Sequence, residues 1–191
     1  MRLIIDLAIA IAIAIVVGVS SAWMAVERGR LFGAVTVGDW VAWPLEGSTE
    51  ADPYSLAMLA RTGEVPLGAG EGLSFTADRD ADGAALSGHC AYLIVGETPP
   101  ARMWTLTAYD SEGRLMVNVA RRPGFHSREI VRNADGTFVI AVSSSVASGN
   151  WLPIASVDAF NLVLRLYDTP LTTGSQIASL VMPAIQKGAC S

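Results

Sequence analysis

The sequence is poor in charged residues, histidine and the common catalytic motifs. Asp, Glu, Lys and Arg make up 16% of its 191 residues and hydrophobic residues 51%, a balance that excludes a disordered chain. His89 and His126 are too few for a histidine-based zinc site unless carboxylates join them. The sequence contains no P-loop, dinucleotide fingerprint, CxxC, HExxH or GxSxG motif. It therefore advertises no active site, and we expect no cofactor.

Basic residues are also scarce beyond the N-terminal segment. After Arg30 the chain carries 10 basic and 16 acidic residues. Such an acidic domain repels phosphate backbones and anionic lipid headgroups. We therefore expect no nucleic-acid partner.

One long hydrophobic run is present, at residues 7–26, and it contains no charged side chain. Its alternation of Ala and Ile has the period of a strand, but both residue types are apolar, so no polar face results. A helix satisfies its own backbone hydrogen bonds, as lipid requires, and this length spans a hydrocarbon core of about 30 Å. The run predicts an N-terminal transmembrane helix, with an anchor at 1–30 and a domain at 31–191.

A cleaved signal peptide is the alternative interpretation of this run. Residues 19–22 offer small side chains to a signal peptidase after Ala22, but Asp6 weakens the basic n-region and the apolar run continues past Trp23. Arg2 precedes the run whereas Arg28 and Arg30 follow it, so positive charge does not fix the orientation. Both interpretations include export. We expect a single-pass inner-membrane protein with a periplasmic domain, or a secreted periplasmic domain after cleavage.

The rest of the chain is typical of short strands separated by turns, with one helix. Asp52 is a natural N-cap, Pro53 suits the first helical position and Gly63 ends the helix. The turns 110–113 and 133–136 each predict a hairpin. Strands are predicted at 34–44, 72–77, 90–95, 103–109, 114–117, 128–131, 137–142 and 161–167. This spacing predicts an all-β fold, a jelly-roll-like β-sandwich with one short helix.

Five segments in order resemble a bacterial family known as domain of unknown function 1214. They are GSTEADPY at 47–54, GHCAY at 88–92, PPARMWTLTAYD at 99–110, NWLP at 150–153 and FNLVLRLY at 160–167. The resemblance covers roughly residues 40–191. It implies a jelly-roll-like β-domain, often exported or membrane-associated and often beside a companion domain, and it implies no activity. A membrane helix here takes the place of the companion domain.

Two arginines are candidate ligand-binding residues. Arg102, Trp104 and Leu106 share one face of a strand by period two, and Tyr109 lies on the other face. A buried pair of Arg102 with Asp110 would hold an acidic ligand beside Trp104; the alternative is core packing with Asp110 capping a hairpin.

Arg165 interrupts an otherwise apolar strand, and it either faces solvent or pairs with a carboxylate such as Asp110 or Asp158. Trp151 is the fifth candidate, in a loop that we expect to plug the end of the sandwich rather than to clamp a ligand.

Residues 78–83 match the opening of a calcium loop, but His89 stands where a bidentate Glu is required. An acidic turn explains the same residues, so we expect no metal. Cys90 and Cys190 are the only cysteines; an oxidising compartment would join them, and the alternative is two unpaired thiols.

Three functions are compatible with these features. The first is a non-catalytic envelope module that binds a partner or ligand, with an exposed aromatic patch around Trp40, Trp43 and Trp151. The second is a carboxylate-dependent hydrolase or carbohydrate-active enzyme that uses Arg102 or Arg165. The third is a subunit of an inner-membrane complex whose Ala-rich helix packs on another helix. We favour the non-catalytic functions, with the membrane and another envelope or inner-membrane protein as partners.

Overall fold

A computed structural model describes residues 2–27, 32–118, 120–171, 177 and 180–190 of the chain. The described part is mostly β, with two sheets and two α-helices. The N-terminal apolar run forms helix α1, Arg2–Glu27. Helix α2, Pro53–Thr62, has the predicted ends: the Asp52 carboxylate accepts hydrogen bonds from two backbone N–H groups of the first turn, and the Gly63 N–H bonds to Leu59 O at 2.9 Å. The sequence prediction of α2 is confirmed.

Ten strands follow in chain order. They are β1 Val35–Val37, β2 Trp40–Ala42, β3 Gly72–Ala77, β4 Cys90–Gly96, β5 Met103–Asp110, β6 Gly124–His126, β7 Phe138–Ser143, β8 Asn150–Pro153, β9 Phe160–Tyr167 and β10 Ala184–Cys190. Sheet 1 has the order β1-β2-β3-β9-β5-β6 and sheet 2 the order β10-β4-β7-β8. The pairings are antiparallel except that of β7 with β8, which is parallel.

Strand β9 lies at the centre of sheet 1 because its side chains alternate without interruption. Every even-numbered residue from Phe160 to Leu166 is buried, and every odd-numbered residue from Asn161 to Tyr167 is half-buried. Leu164 faces Phe75 of β3 on one side and Leu106 of β5 on the other. Each buried leucine contributes about 1.5–3 kcal/mol of hydrophobic stabilisation.

The buried faces of the two sheets contribute to one hydrophobic core. The rings of Trp104 in sheet 1 and Phe138 in sheet 2 have centroids 5.3 Å apart. Tyr92 in sheet 2 and Phe160 in sheet 1 make an edge-on contact at 5.8 Å. These aromatic pairs join the inner faces and add stabilisation beyond their buried area.

Strand β10 connects the edges of the two sheets. Asp39, in the turn between β1 and β2, accepts a hydrogen bond from the Ile185 N–H at 2.7 Å, and the Trp40 indole N–H donates to Pro183 O at 2.7 Å. Trp40 is fully buried, so the exposed patch of three tryptophans that the sequence predicts does not form.

Several strand predictions need correction. The run at 34–44 is a hairpin of β1 and β2 rather than one strand, because Gly38 adopts a positive φ of 57° and reverses the chain. Residues 128–131 are a turn and coil, and the strand facing β7 is reduced to a bridge at Arg132. The 110–113 and 133–136 turns are confirmed by backbone hydrogen bonds that close each of them. Strands β6, β8 and β10 were not predicted.

Helix α1 contacts the domain through α2. The Arg61 guanidinium forms an ion pair with Glu27, the last residue of α1, and stacks over the Trp23 ring at 5.0 Å. Both groups are largely exposed, so the ion pair itself contributes little energy. The predicted basic residues Arg28 and Arg30 lie outside the described residues.

Candidate functional site

The outer face of sheet 1 presents polar side chains around one arginine. Arg165 is an outward residue of β9, with Ser74 of β3 and Thr105 of β5 directly opposite it in the two ladders. One step along, Val163 lies between Thr76 and Thr107. The alternation that buries the leucines of β9 therefore places Arg165 on a half-buried surface rich in hydroxyl groups.

Tyr109 fixes the side chain of Arg165. The guanidinium Nη1 donates a hydrogen bond to the Tyr109 hydroxyl at 3.0 Å, and the guanidinium lies over the tyrosine ring at 5.4 Å. Within the described part of the chain, no carboxylate lies within the 4.0 Å of an ion pair with Arg165. The expected pairing with Asp110 or Asp158 is thus replaced by a contact with a neutral phenol.

A groove of about 430 Å³ lies over this face. Its floor contains Arg165, Val163 and Thr76, and its lining extends along β9 and β5 to Asn161 and Tyr109. One wall is the end of α2 with the following segment, at 62–64, and the other is the hairpin turn at 111–113. A second cavity of about 40 Å³ adjoins it under residues 43–47 and 64–67 and shares Arg165.

The turn that forms the second wall is held by Asp110. Its carboxylate accepts hydrogen bonds from the backbone N–H groups of Glu112 and Arg114, each at 2.9 Å, and it pairs with the Arg114 guanidinium at 2.9 Å. The Arg114 backbone hydrogen bond, with the Arg114 side chain, holds the pKa of Asp110 below its usual value. Asp110 is therefore a turn-capping residue that positions the wall of the groove.

Arg102 and Trp104 lie away from this groove. Arg102 precedes β5, is 81% exposed and lies 3.4 Å from the Asp168 carboxylate, so it forms no buried pair with Asp110. Trp104 is buried in the core against Phe138, and its indole nitrogen has no hydrogen-bond partner. The shared face expected for Arg102 and Trp104 fails because Arg102 lies before the first residue of the strand. Tyr109 does face the opposite side from Trp104, as the period-two pattern predicted.

Trp151 belongs to a strand rather than to a plugging loop. It lies in β8 opposite Ala141 of β7, and its indole N–H bonds to the Ser143 carbonyl at 3.1 Å and hydroxyl at 3.2 Å. Its side chain is half-buried and distant in sheet order from Arg165, since β8 is the edge of sheet 2. Trp151 therefore has a structural contact here.

The segment that resembles a calcium loop forms a hydrogen-bonded turn. Asp80 is buried, and its Oδ1 accepts hydrogen bonds from the N–H groups of Asp82 and Ala84 at 3.1 and 2.9 Å. His89 lies near Asp158, with 3.4 Å between Nε2 and Oδ1. Among the residues that the structure describes, no group of three or more His, Cys, Asp or Glu side chains is placed to hold a metal ion.

Cys90 and Cys190 lie opposite each other on β4 and β10, and their sulfur atoms are joined in a disulfide. Sequence reasoning missed Tyr109 as the partner of Arg165, together with the flanking Ser74 and Thr105. Strand alternation gives the face on which each of these residues lies. The register between distant strands, which brings them together, leaves no local signal in the sequence.

The fold and groove describe a mostly β domain with an N-terminal apolar helix and no catalytic constellation among its described residues. Residues 71–171, more than half of the chain, match the model of a family described as protein of unknown function, DUF1214. The chain belongs to this family, as the sequence resemblance indicated.

Two solved structures are similar to the chain. The VPA0106 protein of Vibrio parahaemolyticus superposes with a TM-score of 0.58 at 23% identity, over 73% of this chain and 36% of that one. An uncharacterised protein of Burkholderia cenocepacia gives a TM-score of 0.43 at 15% identity, over 88% of this chain and 48% of that one. This chain thus spans about a third to a half of these proteins. The first likeness shows the fold alone. No curated protein matches the chain.

Proposed function

We propose that this protein is a non-catalytic binding module of the bacterial envelope, held at the inner membrane by α1 with its β-domain in the periplasm. In this proposal the two sheets are the layers of a jelly-roll-like β-sandwich, for which the Trp104–Phe138 and Tyr92–Phe160 contacts between inner faces give support.

The exposure of α1 carries the proposal. Its 26 residues span about 39 Å, and no side chain of the helix is buried against the domain. Ile9, Ile13 and Val17 are each more than half exposed. A helix that is apolar all round needs an apolar environment, and a bilayer supplies one at this length.

The surface next to the end of α1 fits a membrane interface. Trp23 is 64% exposed, and beyond the helix Phe32, Tyr54 and Leu56 are also exposed. Phe32 and Tyr54 contact each other with ring centroids 6.0 Å apart. Aromatic rings of this kind are enriched at the headgroup level of membranes. The Arg61 contacts with Glu27 and Trp23 would hold α2 close to the bilayer.

The disulfide supports the periplasmic side. Disulfides persist in oxidising compartments such as the periplasm and are rare in the cytosol. Since the positive charges flanking α1 do not decide its orientation, the Cys90–Cys190 bond is the stronger argument for export.

The hydrolase alternative has less support. It requires two converging carboxyl groups, one with a raised pKa. The carboxyl groups with a resolved shift are Asp52, Asp110 and Asp135, and the pKa of each is lowered by hydrogen bonds from neighbouring groups. These carboxylates stay ionised, which does not suit a general acid.

Membrane fractionation combined with N-terminal sequencing tests the proposal. We expect the full-length chain to stay in the membrane pellet after alkaline carbonate extraction, and a C-terminal alkaline phosphatase fusion to be active. Replacing Ile13 with Lys should release or mislocalise the protein. Ala22→Leu, which blocks signal peptidase, should change nothing.

A mature N-terminus at Trp23, restored to full length by Ala22→Leu, would show that α1 is a signal peptide and overturn the anchor. An inactive phosphatase fusion would place the domain in the cytoplasm. Recovery of a stoichiometric inner-membrane protein with the detergent-solubilised chain would instead support the role of complex subunit.

A further inference from the structure

We infer that the Arg165 groove, defined by the residues that line it on the outer face of sheet 1, binds a small hydroxyl-rich ligand with a single carboxylate, of the chemical class of the acidic sugars. The inference rests on the proposed binding role and names its site, but it does not require the tether. It goes beyond the family description, which assigns no ligand.

The charge of Arg165 points to an anion. A guanidinium is permanently ionised and has five N–H donors, of which the Tyr109 hydroxyl takes one. Burying part of such a cation without a counter-ion costs free energy. In the described residues no carboxylate neutralises it within ion-pair distance. The remaining N–H groups offer the planar fork that matches a carboxylate.

The position of Arg165 is fixed before a ligand arrives. The ring of Tyr109 lies against the guanidinium, and both residues come from central neighbouring strands, β5 and β9. A cation held on rigid strands loses little side-chain entropy when a ligand binds. This distinguishes Arg165 from Arg102, which is 81% exposed beside Asp168.

The groove around Arg165 selects against strongly charged anions. Glu64 and Glu112 lie in its walls, although Glu112 also pairs with Arg114 at 2.9 Å. The C-terminal end of α2, which carries the negative end of the helix dipole, forms part of the same wall. A phosphate dianion or a polyanion would be repelled by these groups, whereas one carboxylate pairs with one guanidinium.

The remaining lining favours hydroxyl groups on the ligand. Thr76, Tyr109, Ser111 and Asn161 present hydrogen-bonding side chains to the groove, and Val163 gives a small apolar contact. A volume of about 430 Å³ lies within the range of small-molecule sites, roughly 300–1,000 Å³. A fatty acid would leave these polar groups without partners, so a polar monocarboxylate fits better.

Isothermal titration of the full-length protein in detergent tests the inference with four probes. D-glucuronate carries both features, D-glucose lacks the carboxylate, acetate lacks the hydroxyl groups and glucose 6-phosphate carries a dianion. We expect saturable binding of glucuronate at millimolar or lower concentration, at least tenfold tighter than that of the other three. Tighter binding of glucose 6-phosphate, or equal binding of glucose, would overturn the carboxylate assignment.

Variants separate the site from general effects. Arg165→Met should weaken glucuronate binding at least tenfold and Arg165→Lys less, since a lysine keeps the charge but loses the fork. Arg102→Met, which removes an exposed arginine outside the groove, should leave binding unchanged. Far-ultraviolet circular dichroism checks that each variant is folded; if Arg165→Met is not, the Arg165→Lys result decides.

Unchanged affinity in a folded Arg165 variant, or no saturable binding of glucuronate at millimolar concentration, would refute the site. Neither result would affect the fractionation behaviour, on which the membrane proposal depends. A failure of the anchor would likewise leave the titration unchanged.

Discussion

Cys190 lies directly opposite Cys90 in the antiparallel pairing of β10 with β4, and the bond between their sulfur atoms links positions 100 residues apart. The pairing shifts by a bulge between Lys187 and Cys190. The last described strand is thus attached to sheet 2 both by its ladder and by a covalent bond.

Replacing Cys90 with Ser should destabilise the domain by about 2–4 kcal/mol, because a disulfide that closes a long loop restricts the unfolded chain. Thermal melting with and without reductant measures the effect, together with mobility on a non-reducing gel. Cys190→Ser and the double variant serve as controls and should match the single variant. Equal melting temperatures for the parent in both redox states would contradict the prediction.

Asn150 gives a second prediction, because its side chain acts as a strand partner. It is buried, accepts a hydrogen bond from the Val131 N–H at 2.8 Å and donates to the carbonyls of Val131 and Val139 at 2.8 and 2.9 Å. Asn150→Ala leaves these backbone groups unpaired and should cost about 1–3 kcal/mol for each group that stays buried.

Asn150→Asp should be more damaging, since a carboxylate faces two carbonyl oxygens. Urea denaturation measures both variants, and Gln186→Ala on exposed β10 is the control, expected to change stability by less than about 0.5 kcal/mol. A similarly small effect of Asn150→Ala would show that water replaces the side chain.

Acidification should weaken the hairpin turn through Asp110. Its pKa is lowered in the folded state, first by the Arg114 N–H, so its contribution is present above the unfolded pKa of about 3.9 and is lost as pH falls through the folded value. The stability difference between the parent and Asp110→Asn should therefore shrink as pH falls below about 4. Melting temperatures at pH 7 to 2 test this.

Arg114→Met is the matched variant for the same experiment. It keeps the backbone N–H that bonds to Asp110 and removes the guanidinium, so it should flatten the acid dependence only in part. A parent and an Asp110→Asn variant that lose stability in parallel over the whole pH range would contradict this account.

Two adjacent residues of β9 should respond in opposite ways to truncation. Leu164 is 1% exposed between the layers, and Leu164→Ala should cost about 2–5 kcal/mol through lost burial and a cavity. Val163 faces outward, so Val163→Ala should cost less. Chemical denaturation compares them; equal costs would mean that the outer face is as tightly packed as the core.

The sequence predicts α2 and the two turns well because their signals are local. Asp52, Pro53 and Gly63 each act on backbone groups within four positions, and the structure uses all three as expected. The buried face of β9 is equally legible from its leucines. By contrast, β8 and β10 have weak local signals, since a short edge strand is defined by its partner rather than by its own alternation.

The candidate site divides in the same manner. The sequence indicates Arg165 as a charge in an apolar strand, and strand alternation assigns Tyr109 to the face opposite Trp104. It does not reveal that these residues meet, and it associates Arg102 with Asp110, which instead have separate partners in Asp168 and Arg114. Cross-strand neighbours depend on which strands pair and in what register, and those choices involve residues far apart in the chain.

The sequence by itself determined that a long apolar N-terminal segment is helical and that an acidic, turn-rich β-domain follows it. Both properties depend on side-chain polarity and local backbone preference. Tertiary structure alone decided that β9 lies between β3 and β5, that Cys190 reaches Cys90, and that Arg165 meets a tyrosine rather than a carboxylate. Backbone hydrogen bonds are alike for every strand pair, so only the packing of the whole core selects one arrangement.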